Sequence, residues 1–281
     1  MMKINACAKL NFALNIESPR ADGYHNMQMI MQSVDLCDTL SLEFNRNVPL
    51  SIVCDMPIIG DNIVTRAVHA FANEVGYPIG GNIHITKRIP ICGGLGGGSA
   101  DAAAVLTALN LTFGGVSEAR LSQIVLSLGA DVPFALTGGT QYASGVGERL
   151  CALPAVRDCT VLLAGAGEKD STGKMFARFD SADNKFHPDV ESAVRLLRVG
   201  NFDMAARHFG NSFYPLWQGS RTAEIDRIMR ANGAVCVSLS GAGPTMFGLF
   251  KNENGPAAAQ ELSKFTWCAL CRPTEKSIII E

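Results

Sequence analysis

Alternating apolar and polar residues predict a series of β-strands along the chain. Residues 3–16 carry apolar side chains at loosely alternating positions, which is typical of a half-buried strand. Residues 27–36 and 39–44 predict two paired strands on either side of Cys37 and Asp38. Further strands are predicted at residues 50–54, 82–89, 160–164, 235–239, 246–250, 266–271 and 278–280.

Other segments repeat their apolar residues at helical spacing. They are residues 62–75, 99–111, 117–128, 171–179, 188–199, 202–209, 220–231 and 257–263. Ser99, Ser117 and Ser171 are predicted N-caps, and Gly76 is predicted to end the first helix. The segment 153–158 is the best internal boundary. It predicts an N-terminal domain over residues 1–156 and a C-terminal domain over 157–281, whose last strand could pack back on the first domain.

Five glycines lie between a predicted strand and a predicted helix, in the stretch from Pro90 to Ala104. Glycine lets backbone N–H groups approach an oxygen atom closely and adopts positive φ readily. The first N–H groups of a helix have no internal acceptor and carry the positive end of the helix dipole. The stretch therefore predicts a phosphate site, although a tight connection without a ligand would also place glycine here.

Two well-known glycine signatures do not match this stretch. A Walker loop ends in Gly-Lys-Ser/Thr, whereas Gly98 is followed directly by Ser99. The dinucleotide fingerprint needs glycines at relative positions one, three and six, and no set here has that spacing. An oxidoreductase that uses a dinucleotide is therefore disfavoured.

Composition excludes several classes of protein. The 281 residues are 47% hydrophobic and 18% charged, with a net charge of −2 and no block of like charge, which argues against a nucleic-acid surface. The nine cysteines are irregularly spaced, which predicts free thiols of a reducing cytosol rather than a disulfide framework. Lys3 and Lys9 interrupt the N-terminal apolar stretch, and no apolar run reaches membrane-spanning length, so we expect a cytoplasmic protein without a signal peptide.

Three further segments carry candidate chemistry. Lys9 and Asn11 share one face of the first strand, although a lysine there could simply be solvated. Tyr24 and His25 follow an Asp-Gly turn, where a core-edge tyrosine and a surface histidine are the simpler interpretation. Asp131 precedes Pro133 at a helix start, which makes it a candidate N-cap as well as a candidate base.

The motifs together resemble the GHMP small-molecule kinases. The resemblance rests on four segments in family order, which are residues 8–11, 90–103, 129–133 and 240–245. It implies a two-domain α+β fold, with a ribosomal-S5-like N-terminal domain, a ferredoxin-like C-terminal domain and an active site between them. Residues 20–28, together with 145–148 and 171–172, are similar to the member of the family that acts on a cytidyl-bearing substrate of the non-mevalonate isoprenoid pathway.

The resemblance also implies roles for individual residues. Lys9 and Asp131 would be catalytic, with Asp131 accepting the hydroxyl proton and Lys9 favouring its charged form. The implied ATP site comprises Pro90, Ile91, Cys92, Gly93, Gly94, Leu95, Gly96, Gly97, Gly98, Ser99 and Ala100. The implied substrate site comprises Asn11, Tyr24, His25, Thr172, Phe176, Gly241 and Gly243, the two last offering backbone donors across the cleft.

The implied cofactors are ATP and Mg²⁺, with Ser99 as the one metal ligand that the motifs suggest. Two positions depart from the family pattern. Ala100 stands where a second serine is frequent, and Cys92 replaces a smaller residue. The implied partner is a small cytidyl substrate, and we expect a monomer or a weak homodimer with no nucleic-acid or membrane partner.

Three alternatives remain at this stage. A related kinase of homoserine, mevalonate or a sugar is disfavoured by the Tyr24-His25 loop. A nucleotide-binding module without catalysis is disfavoured because Lys9 and Asp131 are both present. The oxidoreductase lacks its fingerprint.

Overall fold

The computed structural model describes residues 1–57, 62–168, 171–217, 219–251 and 253–281. Its strands are β1 (Met2–Pro19), β2 (His25–Phe44), β3 (Leu50–Cys54), β4 (Gly81–Thr86), β5 (Thr140–Gly145), β6 (Arg149–Ala152), β7 (Thr160–Gly165), β8 (Gly210–Asn211), β9 (Cys236–Leu239), β10 (Thr245–Phe250), β11 (Cys268–Cys271), β12 (Pro273–Thr274) and β13 (Ile278–Ile280). Its α-helices are α1 (Ile63–Val75), α2 (Gly97–Phe113), α3 (Glu118–Leu128), α4 (Val132–Thr137), α5 (Thr172–Asp180), α6 (Val190–Arg198), α7 (Phe202–Ala206), α8 (Ser220–Ala231) and α9 (Gly255–Leu262).

The strands form two sheets within the described residues. The larger sheet has the order β13-β1-β2-β4-β3, with β5 and β12 also paired to β2, β6 to β5, and β8 to β1. The smaller sheet, β11-β7-β10-β9, is antiparallel throughout. With helices packed on both sheets, the expected α+β fold class is confirmed.

Apolar side chains fill three clusters around these sheets. One lies between the larger sheet and helices α1 to α4. The other two join the β1–β2 pair to the smaller sheet, through contacts such as Phe12 with Phe247 at 6.0 Å between ring centroids. The boundary between residues 156 and 157 stays a prediction. The later strands β8, β12 and β13 pair with β1 and β2 of the first half.

The predicted break at Cys37 and Asp38 is wrong, because β2 runs without interruption through both residues. Cys37 lies directly opposite Cys7 on β1, with 4.0 Å between the two Cα atoms, and the two cysteines form a disulfide. The expectation of free thiols is therefore wrong for this pair. The cross-strand register that brings the two residues together is set by tertiary pairing and leaves no trace in their spacing along the chain.

Capping chemistry explains where several helices begin. The side chains of Asn62, Ser117 and Ser171 accept hydrogen bonds from the first turns of α1, α3 and α5, and Gly76 ends α1 with φ +76°. The capping predictions for Ser117 and Ser171 and the stop at Gly76 are confirmed. None of the helices in the described part of the chain combines the length and apolarity that a membrane crossing requires.

Candidate active site

The segment from Pro90 to Ala100, here called the glycine loop, leads from the end of β4 into α2. Gly94 and Gly96 adopt positive φ, at +79° and +71°, and Gly96 makes the turn into the helix. The prediction of Ser99 as N-cap is wrong. The left-handed turn at Gly96 lets the helix start at Gly97, so Ser99 lies inside its first turn. The N–H groups of Gly97, Gly98 and Ser99 therefore precede the first intrahelical bond, from Ala100 N–H to the Gly96 carbonyl at 2.9 Å.

Three carbonyl groups of the glycine loop are held from distant parts of the chain. The backbone N–H of Lys9 donates to Leu95 O at 2.9 Å, the Ser240 hydroxyl donates to Gly94 O at 3.0 Å, and the Thr245 N–H donates to Gly93 O at 3.3 Å. These donors come from β1, from the turn before β10 and from the first residue of β10. The loop is therefore fixed by the first and last of the four sequence motifs.

Lys9 and Asp131 come together as predicted from the sequence. The Lys9 ammonium is 3.6 Å from Asp131 Oδ2, with the lysine side chain almost fully buried and the aspartate 38% exposed. Asp131 occupies the N-cap position of α4, yet its carboxylate makes no capping hydrogen bond and Pro133 follows in the first turn. The carboxylate is thus left to face Lys9 and the cavity beside it.

Asn11 ties Lys9 to the turn before β10. Its Oδ1 accepts hydrogen bonds from the Lys9 ammonium at 2.7 Å and from the Gly241 N–H at 3.0 Å. The Gly243 N–H donates to Ser240 O at 2.9 Å. The expectation that Gly241 and Gly243 offer free backbone donors across the cleft is therefore wrong, because both N–H groups have partners within the protein.

Two cavities meet at the glycine loop. The larger, of about 640 Å³, contains every predicted catalytic and substrate residue except Gly243, namely Lys9, Asn11, Tyr24, His25, Asp131, Thr172, Phe176 and Gly241. The smaller, of about 370 Å³, is lined by residues 90–99. Ala100 is buried in the core between the larger sheet and its helices instead. Gly94, Gly96 and Ser99 line both cavities, so a ligand in one would lie next to a ligand in the other.

His25 lines the larger cavity and is held in a defined position. Its imidazole stacks on Phe176, with 4.9 Å between ring centroids and 17° between planes. Its Nε2 is 2.8 Å from Asp180 Oδ1. Tyr24 beside it is 64% exposed, which leaves its ring available to a ligand.

Sequence reasoning missed a buried charge cluster under the glycine loop. The Lys87 ammonium pairs with Asp38 and lies 2.7 Å from Asp101 Oδ2, and Asp38 also accepts the N–H groups of Arg88 and Ile89. Burial, with the nearby Asp38 charge adding to it, raises the pKa of Asp101 to about 7 even though Lys87 opposes the shift. Asp101 belongs to the glycine motif, but nothing in the local pattern shows that Lys87 and Asp38 reach it.

Comparisons with known proteins agree with this arrangement. Residues 62–139 match the family model for the GHMP kinases N terminal domain, and residues 219–265 match that for the GHMP kinases C terminal domain. A 4-diphosphocytidyl-2-C-methyl-D-erythritol kinase of Caldicellulosiruptor bescii is 35% identical over 94% of this chain and 95% of its own length. The kinase of the same name from Geobacter sulfurreducens is 34% identical over 94% and 95%.

Solved structures show the same relationship. A crystal structure of 4-(cytidine 5'-diphospho)-2C-methyl-D-erythritol kinase superposes with a TM-score of 0.78 and 31% identity, over 97% of this chain and 99% of that one. A homoserine kinase from Cytophaga hutchinsonii has a TM-score of 0.74 at 17% identity, over 100% and 97%, which shows a shared fold. With two family models in order and relatives above 30% identity along nearly the whole chain, this protein belongs to the GHMP kinase family of ATP-dependent small-molecule kinases, in the group of the 4-diphosphocytidyl-2-C-methyl-D-erythritol kinases.

Proposed function

We propose that this protein transfers the γ-phosphoryl group of ATP to a hydroxyl of 4-diphosphocytidyl-2-C-methyl-D-erythritol, in the synthesis of isoprenoid precursors. The observation that carries the proposal is the wall shared by the two cavities. Asp131 and Lys9 line the larger cavity, and the glycine loop separates them from the smaller one. The identity of the acceptor substrate is taken from the names of the relatives.

Different residues of the site bind the phosphates, take the proton and stabilise the transferred group. The free N–H groups of Gly97, Gly98 and Ser99 bind phosphate oxygens at the positive end of α2. The acceptor hydroxyl oxygen attacks the γ-phosphorus, the bond to the bridging oxygen breaks, and ADP leaves. Asp131 takes the hydroxyl proton. Lys9 donates to Asn11, lies beside Asp131, and has a third N–H for an oxygen of the moving phosphoryl group.

Mg²⁺ fits this site as an ion held mainly by the nucleotide. The described residues contain no group of three or more His, Cys, Asp or Glu side chains that could hold a metal ion. Ser99, on the wall shared by the two cavities, supplies a hydroxyl oxygen, and Mg²⁺ usually completes its shell with phosphate oxygens and water. Bound there, the ion would neutralise charge on the phosphates.

The cytidyl group is assigned to the end of the larger cavity that holds Tyr24 and His25. The exposed Tyr24 ring offers a face on which a base can stack. The His25 ring offers a hydrogen-bonding edge and is itself supported by Phe176. Thr172 and Phe176 on α5 line the same region.

An assay of ADP release tests the proposal. The cytidyl substrate is added to protein and MgATP, with homoserine and mevalonate as controls and ³¹P NMR to identify the product. We expect turnover with the cytidyl substrate alone. Turnover with a control substrate instead would assign the protein to another kinase of the family, and ATP binding without turnover would indicate a non-catalytic module.

The proposal also covers the location, the oligomeric state and the partners of the enzyme. We expect a cytoplasmic enzyme that works as a monomer or weak homodimer, without a nucleic-acid or membrane partner. Light scattering at micromolar concentration, with and without added oligonucleotide or vesicles, measures the oligomeric state and tests for these two kinds of partner.

A further inference from the structure

We infer that Asp180 is a positioning residue that fixes which nitrogen of the neutral His25 ring carries the hydrogen. It thereby selects a cytosine over a uracil base. The inference rests on the proposed function, because it concerns the base that the larger cavity accepts. Neither the sequence motifs nor the names of the relatives point to Asp180. It enters through one contact, between its carboxylate and His25.

One face of α5 holds the His25 ring. Thr172, Phe176 and Asp180 follow one another at intervals of four residues, so they lie along one side of the helix, and all three line the larger cavity. Phe176 supports the face of the imidazole, and Phe176 in turn packs nearly perpendicular to Phe213, with 5.0 Å between ring centroids and 82° between planes. The imidazole is 6% exposed, so its orientation is set by these neighbours.

The contact with Asp180 decides which nitrogen carries the proton. A carboxylate can only accept a hydrogen bond, so the 2.8 Å contact requires a hydrogen on His25 Nε2. In the neutral ring Nδ1 is then an acceptor. No hydrogen-bond partner for Nδ1 is found among the residues that the structure describes, so this nitrogen is left for a ligand in the cavity.

An acceptor at Nδ1 distinguishes the two pyrimidines. Cytosine presents an amino group as donor at its position 4, whereas uracil presents a carbonyl oxygen as acceptor at the same place. The cytosine amino group can donate to Nδ1, whereas the uracil oxygen and Nδ1 would be two acceptors facing each other. Because an unpaired polar group in a closed site is costly, this one contact can change relative binding about ten- to a hundredfold.

Removing the carboxylate should therefore relax base preference without removing activity. In Asp180→Asn the amide can accept from Nε2 or donate to it, so the ring is free to carry its proton on Nδ1. We expect the ratio of kcat/KM for the cytidyl substrate over its uridyl analogue to fall at least about tenfold. The loss should appear in KM for the cytidyl substrate, with kcat and KM for ATP nearly unchanged.

Asp183→Asn is the matched control. It removes the same charge three residues later, from an exposed side chain just beyond the end of α5. This variant should keep the native preference. An equal loss in both variants would assign the effect to net charge near the cavity and overturn the inference, as would a native preference in Asp180→Asn.

Nuclear magnetic resonance of the unmodified protein provides a second test, in which a variant serves only to assign signals. Long-range ¹H–¹⁵N spectra separate Nε2–H from Nδ1–H, and His25→Gln identifies the His25 signals among those of the five histidines. We expect the hydrogen of the neutral ring to lie on Nε2, and a neutral ring with its hydrogen on Nδ1 would overturn the inference. Because this result does not depend on turnover, a protein inactive on the cytidyl substrate would refute the proposed function while leaving the role of Asp180 measurable.

Discussion

Gly94→Ala should destabilise the protein and weaken ATP binding together, because Gly94 is where the glycine loop touches the turn before β10. Its φ of +79° costs an alanine about 1–2 kcal/mol. A Cβ atom here would overlap the Ser240 carbonyl oxygen and lie 2.9 Å from that of Gly243, and neither backbone group can rotate away. Crowding of this kind adds about 1–3 kcal/mol.

The sum, about 2–5 kcal/mol, corresponds to a fall in melting temperature of about 4–20 °C. Gly98→Ala is the matched stability control, since Gly98 is helical and a Cβ there meets only Ile63 Cγ2 at 3.5 Å. Thermal unfolding of both variants, with calorimetry of ATP binding to Gly94→Ala, measures the difference. Equal melting temperatures would show that the loop does not depend on its contact with Ser240 and Gly243.

Three other substitutions test separate parts of the site. Asp131→Asn should lower kcat about a hundredfold or more while ATP still binds, and near-normal turnover would remove Asp131 from the mechanism. Tyr24→Ala should raise KM for the cytidyl substrate by about tens of fold through lost stacking, with KM for ATP unchanged; native values would leave Tyr24 as a surface residue. Asp101 has its pKa raised to about 7, so between about pH 4 and 7 the folded state binds the extra proton and stability falls as pH rises. Asp101→Asn removes this loss, so the difference in free energy of unfolding between the variant and the native protein should rise by up to about 1.4 kcal/mol per pH unit over this range. Denaturant melts at several pH values measure it, and parallel curves for the two proteins would contradict the assignment.

Local signals in the sequence predicted the elements well where the physical cause is itself local. A side chain that caps its own helix needs only neighbours two or three residues away, as at Ser117 and Ser171. Ser99 has the same residue type before a helical pattern but is not a cap, because the positive φ of Gly96 already starts the helix. Residue preference alone does not show whether a serine side chain or a glycine with positive φ starts a helix.

Contacts between distant segments could not be predicted, although they complete the site. Asp180 is 155 residues from His25 along the chain, and Lys87 is 49 residues from Asp38. Motif matching found Lys9, His25 and the glycine loop because each stands in a recognisable local pattern. The residues that orient them have no such pattern, since any carboxylate brought there by the fold would serve.

The interlocking of the motifs supports the proposed phosphate site, because it removes the disadvantage of so flexible a composition. A run of glycines loses more conformational entropy on ordering than other residues, so a loop that ordered only on binding would bind weakly. Here the carbonyls of Gly93, Gly94 and Leu95 are already held by donors from β1, from the turn before β10 and from the start of β10. Their fixed orientation, followed by the turn at Gly96, leaves the N–H groups at the start of α2 arranged before the ligand arrives. Donors arranged in advance are the condition under which backbone dipoles stabilise a charged transition state effectively.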